Sequence, residues 1–155
     1  MKLTLVINNK KKSFDVPLNQ TLMELLRSQG FWSVKHGCET GNCGNCTITV
    51  DGQAVYSCLM LAAQANGKTI ETFENIQDRK DFDYLKQAMM DFGDIECDYC
   101  LPGMIMSTKA LLDTKPEATE DDIVEALTGN VCRCANNELP IEAIMEAIRK
   151  MRGRW

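Results

Sequence analysis

Leu3, Leu5 and Ile7 recur at every second position from the start of the chain, the period of a strand with one face buried. Asn8-Asn9-Lys10 offers a turn, and residues 13–16 return as a second strand, so a hairpin opens the chain. Leu22, Leu25 and Leu26 then fall at helical spacing, with Thr21 or Asn19 as the cap and Gly30 as the stop. Residues 47–50 and 54–56 read as strands joined at Asp51-Gly52, a strong two-residue hairpin signal, and residues 69–72 as a last short strand. The prediction is a small mixed sheet with one helix packed across it.

The period then lengthens. Phe82, Leu85, Met89 and Phe92 fit one helical face, and Ile105, Ala110, Leu111 and Leu112 suggest a second helix. Thr119, with Asp122 three places on, resembles a capping box before Ile123, Val124 and Leu127. Pro140 suits the first turn of a helix carrying Ile141, Ile144 and Ile148. The acidic and polar stretch 74–83 separates the two patterns, which predicts an α+β chain with a sheet domain over 1–76 and a four-helix domain over 77–155.

Composition narrows the function. At 155 residues and 45% hydrophobic the chain can bury one core well or two small ones. No stretch approaches the roughly 18 apolar residues of a membrane span, and the run 3–7 is too short for a signal-peptide core, so the expectation is a soluble, cytoplasmic protein. Net charge is -5, and basic residues are scattered apart from Lys10 to Lys12 and the tail 149–154; nucleic acid is not an expected partner.

With eight cysteines and no export signal, metal ligation or redox work is favoured over disulfides. Cys38, Cys43, Cys46 and Cys58 form C-x4-C-x2-C-x11-C, whereas Cys97, Cys100, Cys132 and Cys134 form C-x2-C-x31-C-x-C, so the quartets are not an internal repeat. The first has the plant-type ferredoxin spacing, with Gly37, Gly41 and Gly44 interleaved to let backbone N–H groups turn in at the sulfurs. Four thiolates leave no open coordination position, which suits electron transfer rather than substrate binding. A structural zinc site is the weaker alternative there, since zinc favours two C-x2-C pairs and has no need of a glycine-laced loop. For the second quartet, spacing alone leaves zinc, unligated buried thiols and a cluster about level. Three function classes therefore stand: an enzyme's electron-transfer subunit, a free-standing ferredoxin-like carrier and a zinc-stabilised interaction module.

Resemblance weights the first. Gly37-Cys38 through Cys46-Thr47, then Cys97-Asp98-Tyr99-Cys100-Leu101-Pro102-Gly103-Met104, then Gly129-Asn130-Val131-Cys132-Arg133-Cys134 occur in an order and at separations that resemble the small iron-sulfur subunit of the xanthine dehydrogenase family of molybdenum hydroxylases. The resemblance implies an N-terminal β-grasp, plant-type ferredoxin-like domain and a C-terminal four-helix bundle, each holding one [2Fe-2S] cluster on its quartet. It implies a subunit with no catalytic residue of its own. Electrons would pass from a molybdenum-pterin centre on a large subunit to the helical-domain cluster, then to the ferredoxin-domain cluster, then towards an FAD-binding medium subunit. The implied assembly is a hetero-oligomer, with a dimer of heterotrimers among its forms.

Some positions depart from that pattern. Ala135-Asn136-Asn137-Glu138 follows Cys134 where Thr-Gly-Tyr is common, Glu96 replaces a glutamine and Leu101 a threonine. Glu96 can only accept hydrogen bonds when ionised, whereas an amide also donates, so contact with the pterin side is expected to be rearranged. His36, the sole histidine, reads as a solvated loop residue before it reads as a cluster tuner, and one histidine excludes a Rieske centre. Arg133, between two ligands, reads equally as a tuner and as a surface ion-pair partner. The nine methionines read as core filler, and Trp155 as a frayed end.

Overall fold

The computed structural model describes residues 1–80, 82–91, 97–134 and 140–152. Strands β1 (Lys2–Ile7) and β2 (Lys10–Asp15) form the opening hairpin, with Ile7 opposite Lys10. Asn8 and Asn9 both take positive φ, 48° and 64°, the conformation of a tight two-residue turn that Asn tolerates. That turn is why β2 begins at Lys10 rather than at the expected Ser13. Helix α1 (Leu22–Ser28) starts at a reciprocal cap: Glu24 N–H donates to Thr21 Oγ1, and Thr21 N–H donates to the Glu24 carboxylate. It stops at Gly30, whose φ is 86°.

Strands β3 (Thr47–Val50) and β4 (Gln53–Tyr56) pair antiparallel through the Asp51-Gly52 turn, and β5 (Thr69–Glu71) lies between β1 and β3. The order β2-β1-β5-β3-β4 makes β5 parallel to β1 and antiparallel to β3. Leu3, Leu5, Ile7, Ile48, Val50 and Ile70 turn one sheet face onto Leu22, Leu25 and Leu26 of α1. This is the first core.

The second is built by α2 (Asp83–Asp91), α3 (Leu101–Thr114), α4 (Glu120–Leu127) and α5 (Ile141–Arg152). Leu85 and Met89 of α2 pack with Met104 and Ile105 of α3, Ile123 and Leu127 of α4, and Ile144 and Ile148 of α5. The expected capping box is present, with Thr119 and Asp122 exchanging bonds at the start of α4. Phe92, expected on α2, lies outside the described residues.

Helix α3 joins the halves. It is buried along residues 101–110 because it packs on its helical partners and also lies against β3 and β4. From it Lys109, 5% exposed, reaches Glu71 of β5 at 2.7 Å and Asp113 at 2.5 Å. Burial opposes the ammonium, but these two carboxylates outweigh it and hold its pKa above the usual lysine value.

Candidate metal centres

The first quartet lies on the loop between α1 and β3, with Cys58 returning to it from the turn after β4. Cys38 accepts N–H bonds from Thr40, Asn42 and Cys43, and Asn45 N–H donates to Cys43 Sγ at 3.5 Å. Burial opposes ionisation of Cys38, yet the Cys43 thiol and these amides together bring its pKa down to about 6. Such inward amides are what a cluster with anionic sulfurs requires. Cys58 shows the cost of crowding four sulfurs: burial, then the neighbouring Cys46 and the charge at Cys38 and Cys43, pushes it up to about 12. Gly37 leaves room for the loop, since a Cβ there would meet Cys43 Sγ at 3.0 Å.

The second quartet gathers at the start of α3. Cys97 and Cys100 precede the helix, with Cys100 as its cap residue, and Cys132 and Cys134 follow α4. Cys134 Sγ lies 3.5 Å from Cys97 Sγ, while Cys100 and Cys132 touch through their thiols. Burial, then the Cys132 thiol and the charge beside it, raises Cys100 to about 12.

All eight cysteines are free of disulfides. Within the quartets the sulfurs pair as Cys38 with Cys43, Cys46 with Cys58, Cys97 with Cys134 and Cys100 with Cys132. Among the described residues no group of three or more His, Cys, Asp or Glu side chains is placed to hold a metal ion. Two thiols per iron is the donor arrangement of a four-cysteine [2Fe-2S] cluster, so the residues fit that group.

The two sites adjoin. A cleft of about 420 Å³ is lined by His36, Gly37 and Asn45 from the first loop and by Cys97, Cys100 and Cys132 from the second site. Val131 N–H donates to Cys43 C=O at 2.9 Å, Tyr99 Oη donates to His36 C=O at 2.8 Å, and Lys35 Nζ stands 5.5 Å from the Tyr99 ring centre. Asn45 places a buried side-chain oxygen in this region with no hydrogen-bond partner among the described residues.

His36 is exposed, with Nε2 3.0 Å from Glu39, in keeping with a solvated loop residue. Arg133 is exposed on the cleft rim. Leu101 is buried in the helical core. Glu96, the stretch 135–138 and Trp155 lie outside the described residues. Sequence reasoning did not single out Asn45, Tyr99 or Asn130 individually, although each sits inside a cysteine motif; their polar side chains between ligands were the available signal.

Residues 5–73 match the family model of the 2Fe-2S iron-sulfur cluster binding domain, and residues 69–148 match that of the [2Fe-2S] binding domain. The chain is 41% identical over 133 residues to the nicotinate dehydrogenase small FeS subunit of Eubacterium barkeri, covering 85% of each chain. It is 42% identical over 127 residues to the xanthine dehydrogenase iron-sulfur-binding subunit of Escherichia coli O157:H7, covering 81% of this chain and 80% of that one. Among solved structures, quinoline 2-oxidoreductase from Pseudomonas putida 86 superposes with a TM-score of 0.87 at 34% identity, over 99% of this chain and 97% of the matched chain.

Proposed function

The chain belongs to the small iron-sulfur subunits of the xanthine dehydrogenase family of molybdenum hydroxylases, and from that premise we propose that it is the electron relay of such a complex. Cys38, Cys43, Cys46 and Cys58 hold one [2Fe-2S] cluster, and Cys97, Cys100, Cys132 and Cys134 hold the other. Residues 1–76 form a β-grasp ferredoxin-like domain and residues 77–155 a four-helix bundle. When bound, the clusters supply one-electron redox chemistry, which is how a two-electron oxidation can be coupled to a distant acceptor.

The chain's own residues hold and orient the sites. The amides of Thr40, Asn42 and Cys43 stabilise anionic sulfur at Cys38. Burial of Cys46, Cys100 and Cys132 limits the access of water to both sites, which helps set their potentials. The backbone bond from Val131 to Cys43 connects the neighbours of one ligand set to a member of the other. The partners are a molybdenum-pterin large subunit, on the side of Cys97 and Cys134, and an FAD-binding medium subunit beside the ferredoxin-like domain. The assembly is hetero-oligomeric, with a dimer of heterotrimers as its full form, in the cytoplasm. Among the described residues no helix is long and apolar enough to cross a membrane.

The observation that carries this reading is the sorting of eight thiols into two quartets of paired sulfurs joined by one backbone hydrogen bond. Iron and acid-labile sulfide per chain, with low-temperature EPR after reduction, test it. About four of each and two distinct S = 1/2 signals are expected for two four-cysteine clusters; about two of each with one signal would withdraw the relay.

A further inference from the structure

Between the two sites the backbones come closer than side chains permit. Gly44, with φ +69°, lies between Cys43 and Cys46, and a Cβ on it would meet Asn130 Nδ2 at 2.6 Å and Asn130 Cα at 3.0 Å. A Cβ on Gly103 of α3 would meet Gly44 C=O at 2.5 Å and Asn45 Cα at 3.2 Å. At this joint stands Asn130, 4% exposed and two residues before Cys132.

Both ends of its amide are engaged. Asn130 Nδ2 donates to Gly44 C=O at 3.0 Å, and Ser107 Oγ donates to Asn130 Oδ1 at 2.8 Å. Gly44 C=O can only accept, so it fixes the amide's orientation and thereby makes Ser107 the donor. The Asn130 backbone N–H donates to Leu127 C=O at 2.8 Å, closing the end of α4. One side chain therefore ties the loop of Cys38, Cys43 and Cys46 to α3, which is capped by Cys100, and does so from the segment that delivers Cys132 and Cys134. No other common side chain of this size both donates and accepts in one plane: aspartate loses the donor, leucine both, and serine is too short to reach two partners.

We propose that Asn130 is a positioning residue that sets the spacing between the two cluster sites. The proposal rests on the assignment of a cluster to each quartet. Asn130 touches none of the ligand sulfurs in the contacts above; it acts through Gly44 and through Val131, its neighbour, whose N–H holds Cys43 C=O. Without the amide, that backbone bond and the exposed Tyr99 contact remain to hold the ligand loops together, while Gly44 C=O and Ser107 lose their buried partner.

The test compares the full chain, anaerobically purified and fully reduced, with Asn130→Ala, Asn130→Asp and Ser107→Ala. Iron content and the mutual spin–spin interaction of the two centres are read as line splitting and relaxation enhancement at low temperature. This interaction falls with the inverse cube of separation and does not track global stability. The expected result is unchanged iron, both signals present, and a splitting weakened or lost in both Asn130 variants. Ser107→Ala keeps the donor to Gly44 and should show the smaller change. If Asn130→Ala does not fold, the isosteric Asn130→Asp carries the comparison. Wild-type splitting in a destabilised Asn130 variant would reduce the residue to ordinary packing and overturn the proposal. Failure of the wild-type chain to show two centres would instead overturn the cluster assignment, and the proposal with it.

Discussion

Each cysteine answers for one site. Cys43→Ser is expected to remove the ferredoxin-type EPR signal and about half the iron while leaving the helical one, since the quartets share no thiol. Cys134→Ser should do the reverse; loss of both signals from either change would count against two separate sites. The thiols also set a pH dependence. Without clusters, Cys58 and Cys100 are raised to about 12, against roughly 8.5 for an unfolded cysteine. The folded cluster-free chain then binds protons more tightly than the unfolded one. The contribution of these two thiols is therefore intact below pH about 8.5 and falls as pH rises towards the folded values, whereas Cys38, brought down to about 6, contributes stability that is lost as pH falls from about 8.5 towards 6. Denaturation midpoints of cluster-free and cluster-loaded protein across that range should diverge, because ligation has already removed those protons. At this scale spacing and glycines marked the first quartet as candidate ligands and resemblance marked the second, whereas the pairing of sulfurs was not legible, because Cys58 and Cys132 reach their partners only through the fold.

Among the elements α3 carries the most. It is capped by Cys100, packs into the helical core and lies against β3 and β4. Gly103 in its first turn looks like a helix-weakening residue, and alanine is a better helix former by about 1 kcal/mol in a helix interior. Even so, Gly103→Ala should lower stability, because its Cβ would meet Gly44 C=O at 2.5 Å; chemical denaturation measures the sign. At the cap of α1, Thr21→Ala should cost about 1 kcal/mol, the usual loss for a Thr cap, read in the same way. Hairpins, caps and helix faces could be read from Asn8-Asn9, Asp51-Gly52, Thr21 and Thr119 because their signals are local. The place of β5 between β1 and β3 could not, since Ile70 meets Ile7 and Val50 across long intervals of chain.

For the whole molecule, the seam between the halves decides behaviour. Lys109 is buried between Glu71 of one core's sheet and Asp113 on its own helix. Lys109→Met would leave two carboxylates facing each other without a cation, a loss of about 3 kcal/mol by analogy with broken buried pairs. It should also split one cooperative thermal transition into two; calorimetry distinguishes the profiles. No sequence period announces such a seam, because a lysine four residues before an aspartate reads as an ordinary surface pair until α3 is seen to be covered on both sides. The tightness of the glycine joint has a kinetic consequence. Carriers whose domains swing between donor and acceptor slow down as the solvent thickens. Here nothing has to swing, and passage between the two sites should proceed at the same rate in glycerol as in dilute buffer.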